Sequence, residues 1–463
     1  MKSDYEIAQS APLRRISAIA ADMGLPEDML IPYGHYKAKI DIRHFDREKI
    51  AASKLILVTA ITPNKAGIGK TTTSVGLADG LKKLGKKVVL ALREPSLGPC
   101  FGMKGGAAGG GYSQVVPMED INLHFTGDFH ALTSANNTLA ALLDNHIYFN
   151  QGQPESVKTV LFKRCLDVND RALRQVITGL DGNGVPTETG FVITPASELM
   201  AVLCLAGNLD DLRQRIDNIL LGYTHSGAPF SPRDLGVTGA ITALLKDALL
   251  PNLVQTMEGC PAIIHGGPFA NIAHGCNSLM ATQTAMHYGD YVVTEAGFAS
   301  DLGAEKFFNI KCRQAGLQPA MTVLVATTQA LKLSGGSDET RMKQPDIQAL
   351  TRGLRNLEKH ISILSSFGQR VLVALNQHHF DTEEEITFMR EWCETKGVAF
   401  AVNQGFARGG EGALDMARAV AQLCETPSAP LQFTYEASDS TETKLRKVVQ
   451  TLYGGKDISL GKK

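Results

Sequence analysis

The feature that most constrains this chain is a glycine loop between an apolar run and a helix-like run. Residues 55–61 are apolar and rich in β-forming side chains, which predicts a strand buried on both faces. A loop with Gly67 and Gly69 follows, and Lys70 and Thr71 open a stretch whose apolar residues have helical spacing. Strand, glycine loop, Gly-Lys-Thr and helix form the context of a phosphate-binding P-loop.

The chemistry of this loop follows from its backbone and from two side chains. Glycines let backbone N–H groups approach phosphates, and the helix N-terminus adds partial positive charge. Lys70 would reach the β- and γ-phosphates of a nucleotide, and the Thr71 hydroxyl would bind Mg²⁺. An ordinary strand-to-helix turn with a solvated lysine is the alternative. The predicted phosphate-binding residues are Asn64, Lys65, Ala66, Gly67, Ile68, Gly69, Lys70 and Thr71.

A second apolar run, residues 88–92, predicts a second parallel strand, and Arg93 and Glu94 follow it directly. Ligands of such sheets bind at the carboxyl ends of the strands, so we expect both side chains close to the γ-phosphate. A surface ion pair is the alternative for these two residues.

Further short strands are predicted over residues 261–265, 291–294, 321–326, 370–375 and 399–402. The predicted fold class is α/β, with a P-loop NTPase-type parallel sheet domain and two further α/β domains. The nucleotide-binding domain is expected over 1–160 with about 312–358, the second α/β domain over 161–311 and the third over 359–463.

Composition narrows the class of partner. The 463 residues include 46 basic and 47 acidic side chains, so nucleic acid or an anionic membrane is not expected as the main partner. The eight cysteines form no C-x-x-C pair, which argues against structural zinc and favours a reduced, cytoplasmic protein. His124 and His130 could ligate a metal, but hydrogen-bonded structural roles are commoner. His378 and His379 also suggest a metal site, but nothing nearby in the sequence completes a ligand set.

Several runs together closely resemble the formate–tetrahydrofolate ligase family. They are residues 93–99, the glycine run to Tyr112, and residues 116–130, 144–146, 254–259, 265–277, 302–308 and 409–412. The resemblance extends over the whole chain. It implies an ATP-dependent ligase in which formate attacks the γ-phosphate to give formyl phosphate, and the N10 amine of tetrahydrofolate then takes the formyl group.

The resemblance also implies roles for individual residues. Lys70 would neutralise the transferring phosphate, Arg93 would grip formyl phosphate, and Glu94 would hold a metal or orient Arg93. Asp128 is the fourth expected catalytic residue. The folate ring would lie against Phe298, His378 and Phe406. ATP with Mg²⁺ is the expected cofactor, a monovalent cation and a homotetramer are implied, and the remaining partners are the small molecules formate and tetrahydrofolate.

The chain departs from the family pattern at several positions. Ile68 stands where a glutamate is expected, and Asn64 and Lys65 replace a Thr-Pro pair. Phe406 replaces a tryptophan, and the second stacking residue is His378 or, after a local shift, Phe380. Family members usually continue beyond the position of Lys463, so the third domain is expected to be incomplete. Two alternatives therefore stay open: a divergent paralogue that binds nucleotide or formyl phosphate without folate turnover, and a P-loop ligase with another acceptor.

Overall fold

The computed structural model describes residues 2–41, 44–64, 67–98 and 108–461. Lys65 and Ala66 of the predicted P-loop, and the glycine run as far as residue 107, lie outside the described residues. The strands are β1 (Leu30–Pro32), β2 (Ala38–Ile40), β3 (Lys54–Ala60), β4 (Val88–Leu92), β5 (Gly109–Gly110), β6 (Ser113–Val116), β7 (Val157–Val160), β8 (Arg164–Leu166), β9 (Val176–Thr178), β10 (Thr187–Thr189), β11 (Phe191–Ile193), β12 (Gly222–Thr224), β13 (Pro229–Phe230), β14 (Asn252–Thr256), β15 (Pro261–Ile264), β16 (Tyr291–Glu295), β17 (Pro319–Ala326), β18 (Val371–Asn376) and β19 (Ala399–Asn403).

The helices are α1 (Asp4–Gln9), α2 (Ile16–Met23), α3 (Arg47–Ala52), α4 (Lys70–Lys83), α5 (Met118–Asn122), α6 (Asp128–Phe149), α7 (Glu198–Leu205), α8 (Leu209–Asp217), α9 (Pro232–Leu235), α10 (Thr238–Leu244), α11 (Leu279–Tyr288), α12 (Arg313–Ala315), α13 (Thr328–Ser334), α14 (Ile347–Ser366), α15 (Glu383–Thr395), α16 (Gly405–Arg408), α17 (Leu414–Leu423) and α18 (Thr441–Val448). Short 3₁₀ and π turns link several of them.

One sheet organises the described chain. Its strands follow the order β1-β2-β14-β15-β4-β16-β3-β17-β18-β19, with β6 paired to β14 and β5 to β6. The run from β15 to β19 is parallel throughout, while β14 is antiparallel to β15. These seven parallel strands are the seven that the sequence predicts, with ends that differ by two residues at most. The α/β fold class is therefore confirmed.

Apolar composition explains why these strands occupy the centre. Every residue of β4, β15 and β18 is buried, as are all residues of β3 after the first. Strands covered by helices on both faces need apolar side chains on both faces, which gives near-continuous Val, Leu, Ile and Ala runs instead of alternation. The helix-forming stretches between them supply the covering layers.

The P-loop helix α4 is more deeply buried than its amphipathic pattern suggests. Residues 72–81 are all buried, because the sheet lies on one side and the segment 405–423 lies on the other. Gly76 and Gly80 make this double contact possible. A Cβ at Gly76 would lie 3.5 Å from the Cα of Gly405, and one at Gly80 would lie 3.1 Å from the Cβ of Ala417.

The sheet continues across the predicted domain boundaries. β3, β4 and β17 come from the first predicted segment, β14 to β16 from the second, and β18 and β19 from the third. The division into three domains therefore stays a prediction about folding units and does not correspond to separate sheets. Strands β7 to β13 form three small sheets outside the main one. Within the described ranges, no helix is both long and apolar enough to cross a membrane.

Candidate active site

The carboxyl ends of the seven parallel strands meet at one edge of the sheet, where ligands of open α/β sheets bind. In sheet order this edge carries His265 after β15, Arg93 after β4, Glu295 at the end of β16, the P-loop after β3, Thr327 after β17, Asn376 at the end of β18 and Asn403 at the end of β19. Phe298, His378 and Phe406 follow β16, β18 and β19 within three residues. The topology therefore gathers the predicted nucleotide and folate residues at one edge.

The backbone of the P-loop adopts positive φ angles at two of its glycines. Gly67 and Gly69 both have φ of +80°, a left-handed conformation that side chains rarely adopt. Gly69 precedes α4, and Lys70 is the first helical residue. Burial lowers the pKa of the Lys70 amine to about 8, and the nearby Glu295 carboxylate partly opposes that shift. A phosphate at this helix N-terminus would restore the charge of the amine.

Thr71 and Glu295 form a contact that sequence reasoning missed. The Thr71 hydroxyl donates to both carboxylate oxygens of Glu295, at 3.0 and 3.2 Å. Glu295 is only 6% exposed and ends β16, which lies between β3 and β4. Its position at a strand end was a signal for function, but its place beside the P-loop depends on a strand order that the sequence alone does not reveal.

Several buried polar atoms at this edge have no partner within the described chain. They are both side-chain amide atoms of Asn64, Nε of Arg93 and Oε2 of Glu94. Within the described ranges, Arg93 makes one long hydrogen bond, from its Nη1 to the carbonyl of Pro268 at 3.4 Å. Buried polar groups are normally satisfied, so a cluster of unsatisfied ones beside a P-loop fits a charged ligand such as a nucleotide.

Glu94 and Asp128 belong to a buried network around Lys39. The Lys39 ammonium contacts Asp128 Oδ1 at 2.7 Å and Asn252 Oδ1 at 2.9 Å, and Asn252 Nδ2 donates to Asp128 Oδ2 at 2.8 Å. Burial raises the pKa of the Glu94 carboxyl well above its usual range, and Asp128 adds to this while Lys39 opposes it. Lys37, Lys39, Arg43 and Lys49 are scattered along a stretch whose sequence predicts a solvated face. For Lys39 this prediction is wrong, because its side chain is 1% exposed.

Two of the three predicted folate side chains are accessible. Phe298 and Phe406 are 47% and 45% exposed, and Phe298 has a φ of +61°, which is unusual for a residue with a side chain. The ring of Phe406 covers Gly110, where a Cβ would lie 3.3 Å from it. The ring of Phe406 is therefore packed against glycine backbone, although nearly half of it is exposed.

His378 is half-buried and stacks on Phe380, with ring centroids 5.2 Å apart and planes 11° apart. His378 and Phe380, the two candidates for the second folate-stacking residue, thus stack on each other. Burial lowers the pKa of His378, which favours the neutral ring, while the Asp381 carboxylate opposes that shift.

Three other histidines, His124, His130 and His265, have structural partners. His124 and His130 stack and share a hydrogen bond of 2.8 Å between Nδ1 and Nε2. The two ring nitrogens of His265 contact the Ser278 hydroxyl at 2.6 Å and the Ala248 carbonyl at 2.7 Å, and burial lowers its pKa to about 4. Among the described residues, no three His, Cys, Asp or Glu side chains converge in a way that would hold a metal ion.

Comparison with known proteins gives one consistent result. The sequence model of the family described as formate–tetrahydrofolate ligase matches residues 2–463. The formate–tetrahydrofolate ligase of Parabacteroides distasonis is 61% identical over 461 residues, which are 99% of this chain and 83% of that protein. The enzymes of the same name from Bacteroides fragilis and Campylobacter concisus are 60% and 54% identical, with the same two coverages.

Proposed function

The chain belongs to the formate–tetrahydrofolate ligase family and catalyses the ATP-dependent ligation of formate to tetrahydrofolate, and we propose that this reaction takes place at the row of strand ends described above. The observation that carries the proposal is the convergence of Lys70, Thr71, Glu295 and Arg93 on three neighbouring strands, β3, β16 and β4. Phosphoryl transfer needs little covalent chemistry from the protein, so positioning and charge are what such a site must supply.

The nucleotide is assigned to the P-loop. Backbone N–H groups of Gly67 to Lys70 would face its phosphates, and the Lys70 ammonium would neutralise the γ-phosphate as it transfers. Thr71 and Glu295 would hold Mg²⁺, since a hydroxyl and a carboxylate 3.0 Å apart are oxygen ligands of the kind it prefers. When bound, Mg²⁺ would neutralise charge between the β- and γ-phosphates.

Arg93 is assigned to the binding of formyl phosphate, the intermediate formed from formate. A formate oxygen attacks the γ-phosphorus, the bond from that phosphorus to the β-bridging oxygen breaks, and ADP leaves. The N10 amine then attacks the formyl carbon, loses a proton, and phosphate departs with the oxygen that came from formate. Among the described residues, the Arg93 guanidinium has no partner for Nε and makes one long hydrogen bond. It can therefore bind the negatively charged oxygens of the transferred phosphoryl group, which are present in both steps.

Glu94 is assigned to a monovalent cation. Its Oε2 is buried without a partner among the described residues, and burial raises the pKa of its carboxyl group well above the usual range, which favours the neutral form. A bound cation would favour the ionised form and occupy the unsatisfied oxygen. Asp128 is assigned a supporting role here, because Lys39 and Asn252 already occupy its two oxygens.

Tetrahydrofolate is assigned to the exposed rings of Phe298 and Phe406, with the His378–Phe380 pair at the edge. Aromatic faces bind a flat heterocycle by offset stacking, worth about 0.5–1.5 kcal/mol beyond the area buried. Phe406→Ala should raise the KM for tetrahydrofolate without changing the KM for ATP measured at saturating tetrahydrofolate. An equal change in both would contradict this assignment.

The experiment that tests the proposed site is a turnover assay with ATP, Mg²⁺, formate and tetrahydrofolate, in which 10-formyltetrahydrofolate is followed. Lys70→Ala should abolish product formation. Lys86→Ala should leave it unchanged, because Lys86 lies just beyond the end of α4 opposite to Lys70. ADP release that requires formate but ignores tetrahydrofolate would instead favour a different acceptor.

Assembly into a homotetramer is proposed from an apolar surface beside α6. Phe149 at the helix end is 72% exposed and lines a cavity of about 570 Å³. Ile177 and Leu180, in and beside the β9–β10 hairpin, are 61% and 58% exposed, and they flank Thr178 and Gly179, which line the same cavity. Exposed apolar side chains around one cavity are typical of contact surfaces. Sedimentation of Leu180→Glu is compared with that of the unsubstituted protein, and the expected result is a smaller species for the variant.

A cytoplasmic location of the protein stays a prediction.

A further inference from the structure

Two asparagines join the P-loop to the loops that carry the proposed folate side chains. Asn376 ends β18 and Asn403 ends β19, and the two are paired directly in the register of these strands. Both side chains are buried. His378 follows Asn376 by two residues, and Phe406 follows Asn403 by three. Each asparagine therefore precedes one of the two loops that carry proposed folate-binding side chains.

The hydrogen bonds of this pair lead directly into the P-loop. Asn376 Nδ2 donates to the carbonyl of Ile68 at 3.1 Å, and its Oδ1 accepts from Asn403 Nδ2 at 3.5 Å. Asn403 Nδ2 also donates to the Thr73 hydroxyl at 3.1 Å, and that hydroxyl donates to the carbonyl of Gly69 at 2.9 Å. Two consecutive P-loop carbonyls are thus fixed from the folate side.

Close packing accompanies these bonds. A Cβ at Gly69 would lie 2.3 Å from Asn376 Nδ2, so the loop approaches the amide as closely as a backbone can. Asn403 Oδ1 accepts from the backbone N–H of Gly405 at 3.1 Å, and the Ser113 hydroxyl donates to the carbonyl of Gly405 at 2.9 Å. A shift of the P-loop therefore displaces the start of the Phe406 loop, and the reverse also holds.

We propose that Asn376 and Asn403 are positioning residues that couple nucleotide binding to tetrahydrofolate binding. This inference rests on the proposed function, because it takes the P-loop as the nucleotide site and the two strand-end loops as the folate site. Binding of either ligand restricts the motion of the two asparagine side chains. The second ligand then loses less conformational entropy when it binds, so it binds more tightly. Coupling of this kind is reciprocal: each ligand tightens the other by the same factor.

A purely structural role for the two amides makes a different prediction. Loss of a buried hydrogen bond would then lower stability and weaken both ligands independently, but the factor by which one ligand tightens the other would not change. The coupling factor is therefore the informative quantity, and the affinity for either ligand alone is not.

The experiment measures the Kd of a non-hydrolysable ATP analogue with Mg²⁺ by calorimetry, without and with saturating tetrahydrofolate. In the unsubstituted protein we expect tetrahydrofolate to tighten the analogue by about 5-fold or more, within the usual range for coupled sites. Asn376→Asp keeps the shape of the side chain but removes the donor to Ile68, and its factor should fall towards one. Asn376→Ser provides a second variant without a buried charge, and thermal melting shows whether each is folded.

Gln377→Ala is the matched control. Gln377 lies next to Asn376, but its side-chain oxygen accepts from Gln404 at 2.8 Å and not from the P-loop, so its coupling factor should equal that of the unsubstituted protein. A factor of one in the unsubstituted protein, or an unchanged factor in both folded Asn376 variants, would overturn the inference. Loss of coupling in Gln377→Ala would also overturn it. Failure of the unsubstituted protein to bind the analogue at all would overturn the proposed function instead.

Discussion

The hydroxyl of Thr71 donates to both carboxylate oxygens of Glu295, which places an acid from β16 against the first turn of the P-loop helix. The two residues are 224 positions apart in the chain, and they meet because β16 lies between β3 and β4 in the sheet. Thr71 and Glu295 thus offer oxygen ligands beside the site assigned to the nucleotide phosphates.

Glu295→Gln should weaken Mg²⁺ and leave formate binding unchanged, because it removes a charged ligand while keeping the shape of the side chain. We expect the Mg²⁺ concentration for half-maximal activity to rise by about 10–100-fold, the usual cost of disturbing a metal site. Glu305→Gln is the control, since Glu305 is equally buried and bonds to Asn309 instead of the P-loop. Equal Mg²⁺ requirements in both variants would contradict the assignment.

Nucleotide binding should take up protons at alkaline pH. Burial lowers the pKa of Lys70 to about 8, so above that pH the free protein holds mostly the neutral amine. Phosphate oxygens favour the charged form and raise the pKa again, so affinity should fall as pH rises through 8 and binding at pH 9 should take up a proton. Calorimetry in two buffers of different ionisation enthalpy measures this uptake. Lys70→Ala should abolish it, and uptake that persists would assign the proton elsewhere.

Lys39→Met should destabilise the fold severely. It leaves the buried Asp128 carboxylate without its ion-pair partner, and breaking a buried pair from one side costs about 3–5 kcal/mol. Lys39→Met combined with Asp128→Asn removes the uncompensated charge and should recover more than half of that loss. Urea unfolding at pH 7 measures both. A Lys39→Met protein as stable as the unsubstituted one would show that the pair contributes nothing.

Asp79→Asn should stabilise the protein in a pH-dependent way. Asp79 is fully buried in α4, accepts a hydrogen bond from the Thr256 hydroxyl, and its pKa is raised to about 8 chiefly by burial. Between the ordinary carboxyl pKa of about 4 and pH 8, the folded chain keeps a proton that the unfolded chain releases, so stability falls as pH rises. The melting temperature of Asp79→Asn should exceed that of the unsubstituted protein by an amount that grows up to pH 8 and then levels off. Asp415→Asn, at an exposed position, should show no such trend.

Local sequence was enough to predict the seven central strands, the strand–glycine loop–helix unit formed by β3 and α4, and the position of Arg93 directly after β4. Each depends on a run of apolar residues or on a residue type at a strand end, which short stretches of chain encode. Strand order is different, because it is fixed by contacts among distant segments. The contacts of Glu295 with Thr71 and of Asn376 with the Gly69 loop both depend on that order, so local sequence does not predict them.

Burial of charged residues was equally hard to predict. Lys39 stands in a stretch with other lysines and was expected on a solvated face, yet it is the centre of a buried network. Its partners Asp128, Leu250 and Asn252 come from parts of the chain far from it in sequence, so no local pattern distinguishes it from its exposed neighbours. Asp128, predicted as catalytic, is held by that same network.

Transfer of an oxygen atom from formate to phosphate tests the central claim most directly. The reaction is run with ¹⁸O-labelled formate, ATP, Mg²⁺ and tetrahydrofolate, and the phosphate released is analysed by mass spectrometry. If formate attacks the γ-phosphate at the site formed by Lys70 and Arg93, each phosphate carries one labelled oxygen, and Lys70→Ala and Arg93→Ala release none. Unlabelled phosphate from the unsubstituted protein, or labelled phosphate formed at the full rate by Lys70→Ala, would contradict the account.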